Sequence, residues 1–463
     1  MAAPFPVTNA TIPYWRTELH ELDSHRSTPW LPKTQDIAII GAGFAGTALA
    51  HYLLKDNPSK PSIIILEARE ACSGATGRNG GQLRPDLFVG VASRMQAQGL
   101  DIANEVVRFE VANAKAVAAL VEEESIACDL RAVTTGDVFV DAVETAKIQK
   151  LWDTMSKLHC PSLKDVTYHG ADEAEKLTNV KGAKVAFTYP SHTLWPYKLV
   201  MHLLAGVVKQ GVNLQTHTMV NGVSETADSE GYWTLSTPRG IVKAKRVIFA
   251  NNAYISSLLP EYDDAIYAAR ATVCRAVPSS LAPGAEIPLR SGGLEMKSPS
   301  TIDSYYGLRP DGSVIIGGAK STYFYQKREE WYRNFDDSTL IEPAGPYFEG
   351  WAGRTFAGWE KTPVTVDKIW TGIMGYSADE TPHIGNVPSK PGLYVCAGFI
   401  GHGMPNVLLC AKGLAAMIKD GASFSETGLP ACYETSGARL RKASESFAAS
   451  GAGRARADVY LKH

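Results

Sequence analysis

Three glycines close to the N-terminus have the spacing of a backbone turn that binds a pyrophosphate. Gly41, Gly43 and Gly46 fit the pattern G-x-G-x-x-G. The first glycine permits a tight turn, the second lets a pyrophosphate approach the backbone, and the third lets a helix pack closely on a strand. Glu67 stands roughly 20 residues further on, where a carboxylate suits a ribose hydroxyl. These residues predict a dinucleotide-binding site.

The segments around these glycines have the pattern of a strand, a turn and a helix. The apolar run 37–40 is short and mostly β-branched, as expected of a parallel strand buried on both faces. We predict a helix over 44–56 and a second buried strand over 62–67. The stretch 37–54 has no charged residue, so a transmembrane helix is the alternative, but three glycines near its start favour a strand followed by a helix.

A second glycine-rich segment, residues 71–85, follows the second strand. It mixes four glycines with small polar residues, which is typical of a loop whose backbone wraps closely around a ligand. Arg78 lies in this loop and could reach a phosphate. A flexible linker is the alternative, although linkers rarely combine Arg, Asn and Gln so closely with glycine.

The composition is that of an ordinary globular protein. Hydrophobic residues make up 45% of the 463 positions, and the net charge of −2 gives no electrostatic reason to expect nucleic acid or an anionic membrane as a partner. The length suits two or three domains, or one large interleaved pair. Seven scattered cysteines without a C-x-x-C pair, and no apolar leader, predict a cytoplasmic protein with reduced thiols. His159-Cys160 lacks a second ligand pair, so we expect no metal site.

The rest of the chain alternates strands and helices. After a proline-dotted arm over 1–34, which Trp15 and Trp30 predict to be docked on the surface, we expect a long amphipathic helix over 93–127. The other predicted helices are 143–158, 197–210, 326–340 and 406–419. The predicted strands are 131–140, 213–220, 265–277 and 392–397, and the strand segment 303–318 is predicted to fold into a hairpin that turns at Asp311-Gly312. The tail after 435 is predicted to fray or to form a short peripheral helix.

Two further segments have small or glycine-rich residues directly after a buried strand. Residues 247–253 end in Asn251, Asn252 and Ala253, as expected where the carboxyl end of a strand meets a cofactor. Residues 398–404 form a glycine-rich turn between a strand and a helix. This turn makes a second strand–glycine–helix element, far from the first in the sequence.

Together these motifs resemble the D-amino-acid-oxidase superfamily of FAD flavoproteins, nearest to its sarcosine oxidase and gamma-glutamylputrescine oxidase branch. The arm, which ends with Arg26-Ser27-Thr28 before the first strand, resembles that of fungal members. The matching segments run in family order over roughly residues 34–420, and they are 40–46, 66–69, 74–81, 372–376 with 381–385, and 397–403.

The resemblance implies an α/β (α+β) architecture, in which a Rossmann-like FAD-binding domain is interleaved with an antiparallel-sheet substrate domain. The FAD-binding domain is expected over 1–92, 186–256 and 366–440. The substrate domain is expected over 93–185 and 257–365, followed by a C-terminal tail over 441–463.

The resemblance also implies FAD as the cofactor. Val220 sits where the family's strand contacts adenine, and residues 398–404 would lie near the isoalloxazine, with the positive end of the following helix at its N1–C2=O edge. We expect non-covalent FAD, because no cysteine lies near Gly372 and no histidine near Arg78-Asn79, where relatives attach the flavin. The predicted cofactor-binding residues are Gly41, Gly43, Phe44, Ala45, Gly46, Glu67, Ala68, Arg69, Ser73, Gly74, Ala75, Thr76, Gly77, Arg78, Asn79, Gly80, Gly81, Gln82, Val220, Asn251, Asn252, Ala253, Gly398, Phe399, Gly401, His402, Gly403 and Met404.

The implied reaction is the oxidation of a C–N bond. A hydride would pass from the carbon next to a neutral amine to flavin N5, the imine would hydrolyse, and O₂ or another acceptor would take the electrons, giving H₂O₂ with O₂. Glycine-oxidase-type enzymes carry two arginines where this sequence has Met374 and Gly401. A plain amino acid therefore loses its carboxylate clamp, unless Arg309, Arg84 or Arg275 substitutes. The expected substrate is a primary or secondary amine, or an amino-acid derivative.

Four residues are candidates for catalysis. Tyr305 and Tyr306 lie on a strand that should cover the flavin, and alternation along a strand turns only one of them to the substrate. Lys320 falls where sarcosine oxidases place a basic residue near the flavin, although a surface lysine is the alternative. His402 could contact flavin or substrate, or only brace its turn. Aromatic walls are expected from the side chains of Trp195 and Tyr376.

Three other functions remain open from the sequence. A D-amino-acid or N-methyl-amino-acid oxidase or dehydrogenase would need a relocated arginine. A hydroxylase-type flavoprotein is disfavoured, because no second nucleotide motif is present for NADPH. A redox-inert FAD-binding chaperone is disfavoured by the intact fingerprint and flavin-edge turn. The identity of the amine, the electron acceptor and the oligomeric state are not predicted.

Overall fold

The computed structural model describes residues 5–279, 287, 291–295 and 304–449. The strands are β1 (Thr34–Ile40), β2 (Ile63–Leu66), β3 (Gln82–Leu83), β4 (Arg131–Phe139), β5 (Thr167–His169), β6 (Val185–Thr193), β7 (Asn213–Gln215), β8 (Gly222–Val223), β9 (Trp233–Thr237), β10 (Gly240–Phe249), β11 (Ile266–Pro278), β12 (Ser291–Glu295), β13 (Ser304–Leu308), β14 (Val314–Gly318), β15 (Val364–Ser377), β16 (His383–Asn386) and β17 (Leu393–Ala397). The helices are α1 (Phe44–Leu54), α2 (Val89–Gln98), α3 (Leu100–Glu123), α4 (Ala142–Lys157), α5 (Ala171–Thr178), α6 (Pro196–Lys209), α7 (Arg328–Trp331), α8 (Ala344–Phe348), α9 (Trp351–Thr355), α10 (Val407–Asp420) and α11 (Gly437–Ala449).

The first sheet has the order β16-β17-β10-β1-β2-β7, with β9 and β8 attached to β10. Strands β1, β2, β7, β10 and β17 run parallel. Helices α1, α6 and α10 pack on it around a core that includes Ile39, Ile65, Leu49 and Leu408. Because the strands are parallel, the turns that follow β1, β2, β10 and β17 meet at one edge of the sheet.

The second sheet has the order β15-β11-β14-β13-β12-β4-β6-β3, with β5 attached to β6. Its pairs are antiparallel except for β12 with β4, and the long strands β11 and β15 pair over nearly their whole length. The two sheets confirm the predicted mixed architecture. The predicted domain boundaries at 185/186 and 365/366 fall inside β6 and β15, which both belong to the second sheet. We propose that a division by sheet places these two boundaries after 193 and after 377.

Three predicted elements differ from the structure. The helix predicted over 93–127 is interrupted at Gly99, whose positive φ of 94° ends α2 and begins α3. The strand predicted over 213–220 ends at Gln215, and the segment 326–340 contains only the short helix α7. Each difference arises where a local turn interrupts a pattern that is regular in sequence. The C-terminal tail forms α11, and its last residues, 450–463, lie outside the described part of the chain, as do 280–286, 288–290 and 296–303 of the predicted substrate domain.

The N-terminal arm is docked through one of its two tryptophans. Trp15 is fully buried, and its Nε1 donates a hydrogen bond to the Asn79 carbonyl oxygen at 2.6 Å. Trp30 is 83% exposed, so the prediction that it docks is wrong. Among the described helices, none has the length and apolarity to cross a membrane.

Candidate active site

A cavity of about 880 Å³ lies where the carboxyl edge of the first sheet meets the second sheet. Its wall includes Gly43 and Glu67 from the first sheet's edge, and Tyr305 and Met374 from β13 and β15 of the second. The volume is at the upper end of the roughly 300–1,000 Å³ of small-molecule sites. The elements that carry the predicted dinucleotide site and the predicted substrate residues therefore share one cavity.

The fingerprint turn has the geometry that its three glycines predict. Gly41 has a φ of +110°, and a Cβ there would lie 2.9 Å from the Ala250 carbonyl oxygen. A Cβ at Gly46 would lie 1.9 Å from the Gly41 oxygen, so the helix packs closely on the turn. Gly43 faces the cavity, and the nearest atom to a Cβ there is Thr76 Oγ1 at 3.3 Å. The turn thus leaves room for a pyrophosphate beside the first amides of α1.

Glu67 is fixed at the carboxyl end of β2. Its carboxylate accepts hydrogen bonds from the backbone N–H groups of Ala42 at 2.8 Å and Arg69 at 3.0 Å, and its side chain lines the cavity. Each carboxylate oxygen has further acceptor capacity. The predicted contact with a ribose hydroxyl is compatible with this placement and stays a prediction.

Arg78 does not extend toward a phosphate. Its guanidinium donates to the carbonyl oxygens of Ser73, Thr11 and Thr371 and lies 3.4 Å from the carboxylate of Asp337. Burial lowers the pKa of Arg78 to about 10. The side chain therefore joins the N-terminal arm, the glycine-rich loop and β15. The prediction that Arg78 reaches a phosphate is corrected, because its guanidinium is used to hold these three segments together.

The glycine-rich loop fits a bound FAD. A Cβ at Gly74 would meet no atom within 4 Å, so the loop is open at this point of the cavity wall. Asn251 lies in the same wall after β10, and its side-chain oxygen is buried without a hydrogen-bond partner among the described residues. An open backbone and an unsatisfied buried polar atom in the wall are features that a ligand with many polar atoms can complete.

Most of the predicted cofactor-binding residues line the cavity, and five do not. Those in the wall are Gly41, Gly43, Phe44, Ala45, Glu67, Ala68, Arg69, Gly74, Ala75, Thr76, Arg78, Asn79, Gly80, Gln82, Val220, Asn251, Asn252, Ala253, Phe399, Gly401, His402, Gly403 and Met404. Those behind it are Gly46, Ser73, Gly77, Gly81 and Gly398. Close backbone packing explains two of the latter, since a Cβ at Gly77 would lie 2.1 Å from the Cys72 oxygen and one at Gly81 would lie 2.6 Å from Trp15.

The turn 398–404 is tied to the end of β10. Asn252 has a φ of +47°, and its Oδ1 accepts hydrogen bonds from the N–H groups of Gly398 at 2.9 Å and Phe399 at 3.4 Å. Ile400 N donates to the Gly375 oxygen at 2.7 Å, which joins the turn to β15. Because α10 begins at Val407, the positive end of this helix lies just beyond the turn.

The two adjacent tyrosines of β13 point in opposite directions. Tyr305 lines the cavity, and its ring lies so close to Gly80 and Gly317 that a Cβ at either would overlap it. Burial, with a contribution from Tyr376, raises the pKa of Tyr305, so this phenol stays protonated. Tyr306 is fully buried on the other face against Phe356. The proposal that Tyr306 is catalytic is corrected to core packing.

The two predicted aromatic walls also have different outcomes. Tyr376 lines the cavity beside Met374. Trp195 does not reach the cavity wall, because its ring packs against Trp15 in the core and its Nε1 donates to the Trp15 oxygen at 2.7 Å. Trp195 is therefore part of the site that docks the N-terminal arm.

Lys320 and His402 both line the cavity. Lys320 begins a short 3-10 helix after β14, following Ala319 with a φ of +56°. His402 Nε2 lies 3.0 Å from a carboxylate oxygen of Glu110, whose side chain is 1% exposed. Burial opposes the charge on His402, but Glu110 outweighs it and raises the pKa of the imidazole. The catalytic roles of both residues stay predictions.

The three arginines that could have replaced the missing carboxylate clamp are already ion-paired with carboxylates of the protein. Arg309 and Arg275 stand outside the cavity wall, with Arg309 paired to Asp129 at 2.7 Å and Arg275 to Asp311 at 2.7 Å. Arg84 lines the cavity but is ion-paired with Asp137.

Met374 and Gly401, the two positions at which the resemblance led us to look for arginines, are neighbours in the cavity wall. A Cβ at Gly401 would lie 2.9 Å from Met374 Sδ. Both residues line the cavity, so this part of its wall is apolar. A plain α-amino acid would find no arginine here to bind its carboxylate.

Glu110 and Arg94 also line the cavity, and neither was predicted from the sequence. Glu110 had a signal that could have revealed it, since it lies on the buried face of α3 with Val106, Val107 and Ala114. A carboxylate on the apolar face of an amphipathic helix is rarely buried unless it has a partner. Arg94 had no such signal, because an arginine in a short helix that also carries serine and glutamines is ordinarily exposed.

Comparison with known proteins identifies the family. The sequence pattern of the FAD dependent oxidoreductase (DAO) family matches residues 36–417. The chain belongs to this family. It is therefore an enzyme, an oxidoreductase that uses FAD, and the resemblance seen in the motifs is confirmed. The likeness of the N-terminal arm to fungal members stays a prediction.

Individual relatives are distant but cover most of the chain. The probable oxidoreductase OrdL of Haemophilus influenzae is 22% identical over 83% of this chain and 82% of its own length. The gamma-glutamylputrescine oxidoreductase of Escherichia coli is 22% identical over 84% of each chain. The glycine oxidase structure from Geobacillus kaustophilus superposes with a TM-score of 0.67 at 17% identity, covering 85% of this chain and 96% of that one. The last likeness confirms the fold.

Proposed function

We propose that the protein oxidises the C–N bond of a primary or secondary amine, or of an amino-acid derivative, to an imine, with O₂ reduced to H₂O₂. The observation that carries this proposal is the single cavity that joins the fingerprint turn to the walls around Tyr305 and Met374. The names of the relatives, one acting on gamma-glutamylputrescine and one on glycine, support a nitrogen-bearing substrate.

When bound, FAD supplies the redox chemistry, since it accepts a hydride from the carbon next to nitrogen and delivers electrons to the acceptor. Gly43, Gly74 and Glu67 would hold its dinucleotide part, and the turn 398–404 would hold its ring. The second sheet would then cover the space beside the cofactor.

The walls contributed by the second sheet favour an uncharged amine. Tyr305, Met374 and Tyr376 present aromatic or apolar groups, and burial in such surroundings disfavours the protonated ammonium form. The neutral form carries the lone pair that assists loss of hydride from the neighbouring carbon. The ring of Tyr305 lies close to both Gly80 and Gly317, and it fills space in this part of the cavity that water would otherwise occupy.

His402 places a titratable cation at the flavin-edge turn. Glu110 favours its protonated form, so that His402 and the N-terminus of α10 both stabilise negative charge that develops beside the turn. In this proposal His402 acts electrostatically, and the buried carboxylate of Glu110 positions its ring.

The test is an anaerobic titration of FAD-loaded protein with primary and secondary amines, each matched by the alcohol of the same carbon skeleton. Loss of the oxidised flavin absorbance with amines, and none with the alcohols, is the expected result. Free FAD mixed with the same amines is the control. Reduction by the alcohols alone, or by no compound, would contradict the proposal. Acid precipitation of the same sample is expected to leave a yellow supernatant, because the flavin is not covalently attached.

A further inference from the structure

Helix α2 contributes an unpaired arginine to the cavity wall. Gly90, Ser93 and Arg94 of this helix all line the cavity, beside the end that contains Glu110 and His402. Arg94 forms no hydrogen bond or ion pair with any of the described residues, 5–279, 287, 291–295 and 304–449, and its Nε is buried. A buried N–H donor that has lost water without gaining a partner is destabilising.

The other arginines in the cavity wall are in a different state. Each is ion-paired with a protein carboxylate: Arg69 and Arg78 with Asp337, Arg84 with Asp137, and Arg270 with Glu330. The fold thus compensates four cavity arginines internally and leaves the fifth, Arg94, for an anion from outside the chain.

The acidic groups that face Arg94 are held by other donors. Glu110 accepts from His402 at 3.0 Å and from the Asp86 N–H at 2.9 Å, and Asp86 accepts from the Gly90 N–H at 2.9 Å. Tyr433, Cys432 and His402 are further titratable groups near Arg94, and a protonated His402 repels the guanidinium. Burial opposes its charge, but Glu110, Tyr433 and Asp86 raise the pKa of Arg94, so the guanidinium stays protonated.

We propose that Arg94 binds a carboxylate of the substrate, so that the enzyme acts on an amine that also carries a carboxylate. This inference rests on the proposed function for the identity of the reacting group. A planar guanidinium with free N–H groups matches a carboxylate in a bidentate pair. Met374 and Gly401 make another part of the cavity wall apolar, so a carboxylate finds no cation there.

Carboxylate binding can be measured without turnover. FAD-loaded wild-type protein, Arg94→Gln and Arg94→Lys are titrated with acetate, butyrate and benzoate, and with the corresponding amides, while the flavin absorbance is recorded. Arg108→Gln is the matched control, because Arg108 is exposed on α3 and bonds only to the Asn104 oxygen within the described residues. We expect Arg94→Gln to weaken carboxylate binding by about 10-fold to 100-fold, with the amides unaffected. Arg94→Lys should lose less, since it keeps the charge.

Turnover provides the second arm of the test. For pairs such as N-methylglycine and its amide, or 4-aminobutyrate and its amide, Arg94→Gln should lower kcat/KM for the acid while leaving that of the amide within about 3-fold. Equal carboxylate affinity in wild type and Arg94→Gln, or no carboxylate binding by wild type, would overturn the role of Arg94. Carboxylate binding that depends on Arg94, in a protein that no amine reduces, would instead contradict the proposed amine oxidation. If Arg94→Gln fails to retain FAD, the carboxylate affinity of Arg94→Lys decides. An affinity below that of wild type supports the role of Arg94, and an equal affinity overturns it.

Discussion

Replacing Glu110 by glutamine should destabilise the protein in a way that depends on pH. Glu110 is 1% exposed and lies 3.0 Å from His402, whose side chain is 29% exposed. Glutamine keeps the shape and can still accept from the Asp86 N–H, but it removes the charge. Breaking a buried ion pair costs about 3–5 kcal/mol when the remaining charge is trapped. His402 is partly exposed and can release its proton, so we expect a loss of about 2–3 kcal/mol in mildly acidic solution.

The pH dependence follows from the two pKa shifts. The pKa of His402 is raised above its ordinary 6.5, so its contribution to stability is complete below 6.5 and is lost as pH rises through the raised pKa. Burial opposes the charge on Glu110, but His402 outweighs it and lowers the carboxyl pKa below 4.5, so that contribution is complete above 4.5 and lost as pH falls through the lowered pKa. The pair therefore stabilises the fold most between pH 4.5 and 6.5.

The assay is denaturant unfolding of FAD-loaded protein at about pH 6 and about pH 9. Wild type, Glu110→Gln, His402→Gln and the double variant form a cycle that isolates the pair energy. Glu122→Gln, on the exposed end of the same helix, is the control and should change stability by less than about 0.5 kcal/mol. A Glu110→Gln loss that is the same at both pH values, or single losses that simply add in the double variant, would refute this account of the pair.

Three other predictions concern the cavity wall. Gly41→Val should abolish FAD retention, because the φ of Gly41 is +110° and a Cβ would lie 2.9 Å from the Ala250 oxygen. The flavin-to-protein ratio measures retention, and Gly312→Val, in an open turn, is the control. A full flavin content in Gly41→Val would contradict the prediction. Gly317→Ala should displace the Tyr305 ring, since a Cβ at this position would lie 2.1 Å from the ring. Amine-dependent flavin reduction should then be at least about 10-fold slower, whereas the control Gly211→Ala should leave the rate unchanged. An unchanged rate in Gly317→Ala would show that the position of the ring is not needed. Met374→Arg should raise kcat/KM for glycine relative to glycinamide by about 10-fold or more, and an unchanged ratio would argue against this wall as a substrate contact.

Much of the fold could be predicted because its signals are local. The turn at Gly41 and Gly43 is encoded within ten residues, and the buried strands before and after it have short β-branched runs. The break between α2 and α3 was missed because the apolar spacing continues across Gly99, and only the backbone conformation reveals the interruption. Trp30 resembles Trp15 in sequence, but only Trp15 has a carbonyl partner in the loop that it covers.

The site was predicted less completely because its partners are distant in sequence. Alternation along β13 required one tyrosine in the cavity, but only the pairing with β14 shows that it is Tyr305. His402 and Glu110 are 292 positions apart, so no local pattern links them. The fold also decides which carboxylates lie near each arginine. It pairs Arg84, Arg275 and Arg309 with carboxylates of the protein, and it leaves Arg94 without such a pair among the described residues.

The central claim is that one cavity holds both FAD and the amine substrate. A crystal structure of the FAD-loaded protein with butyrate tests it most directly. We expect the pyrophosphate beside Gly43, the isoalloxazine beside the turn 398–404 with Tyr305 across the remaining space, and the carboxylate on Arg94. An isoalloxazine that lies away from Tyr305 and His402, or that fills the cavity so that no space remains beside Met374, would contradict the account.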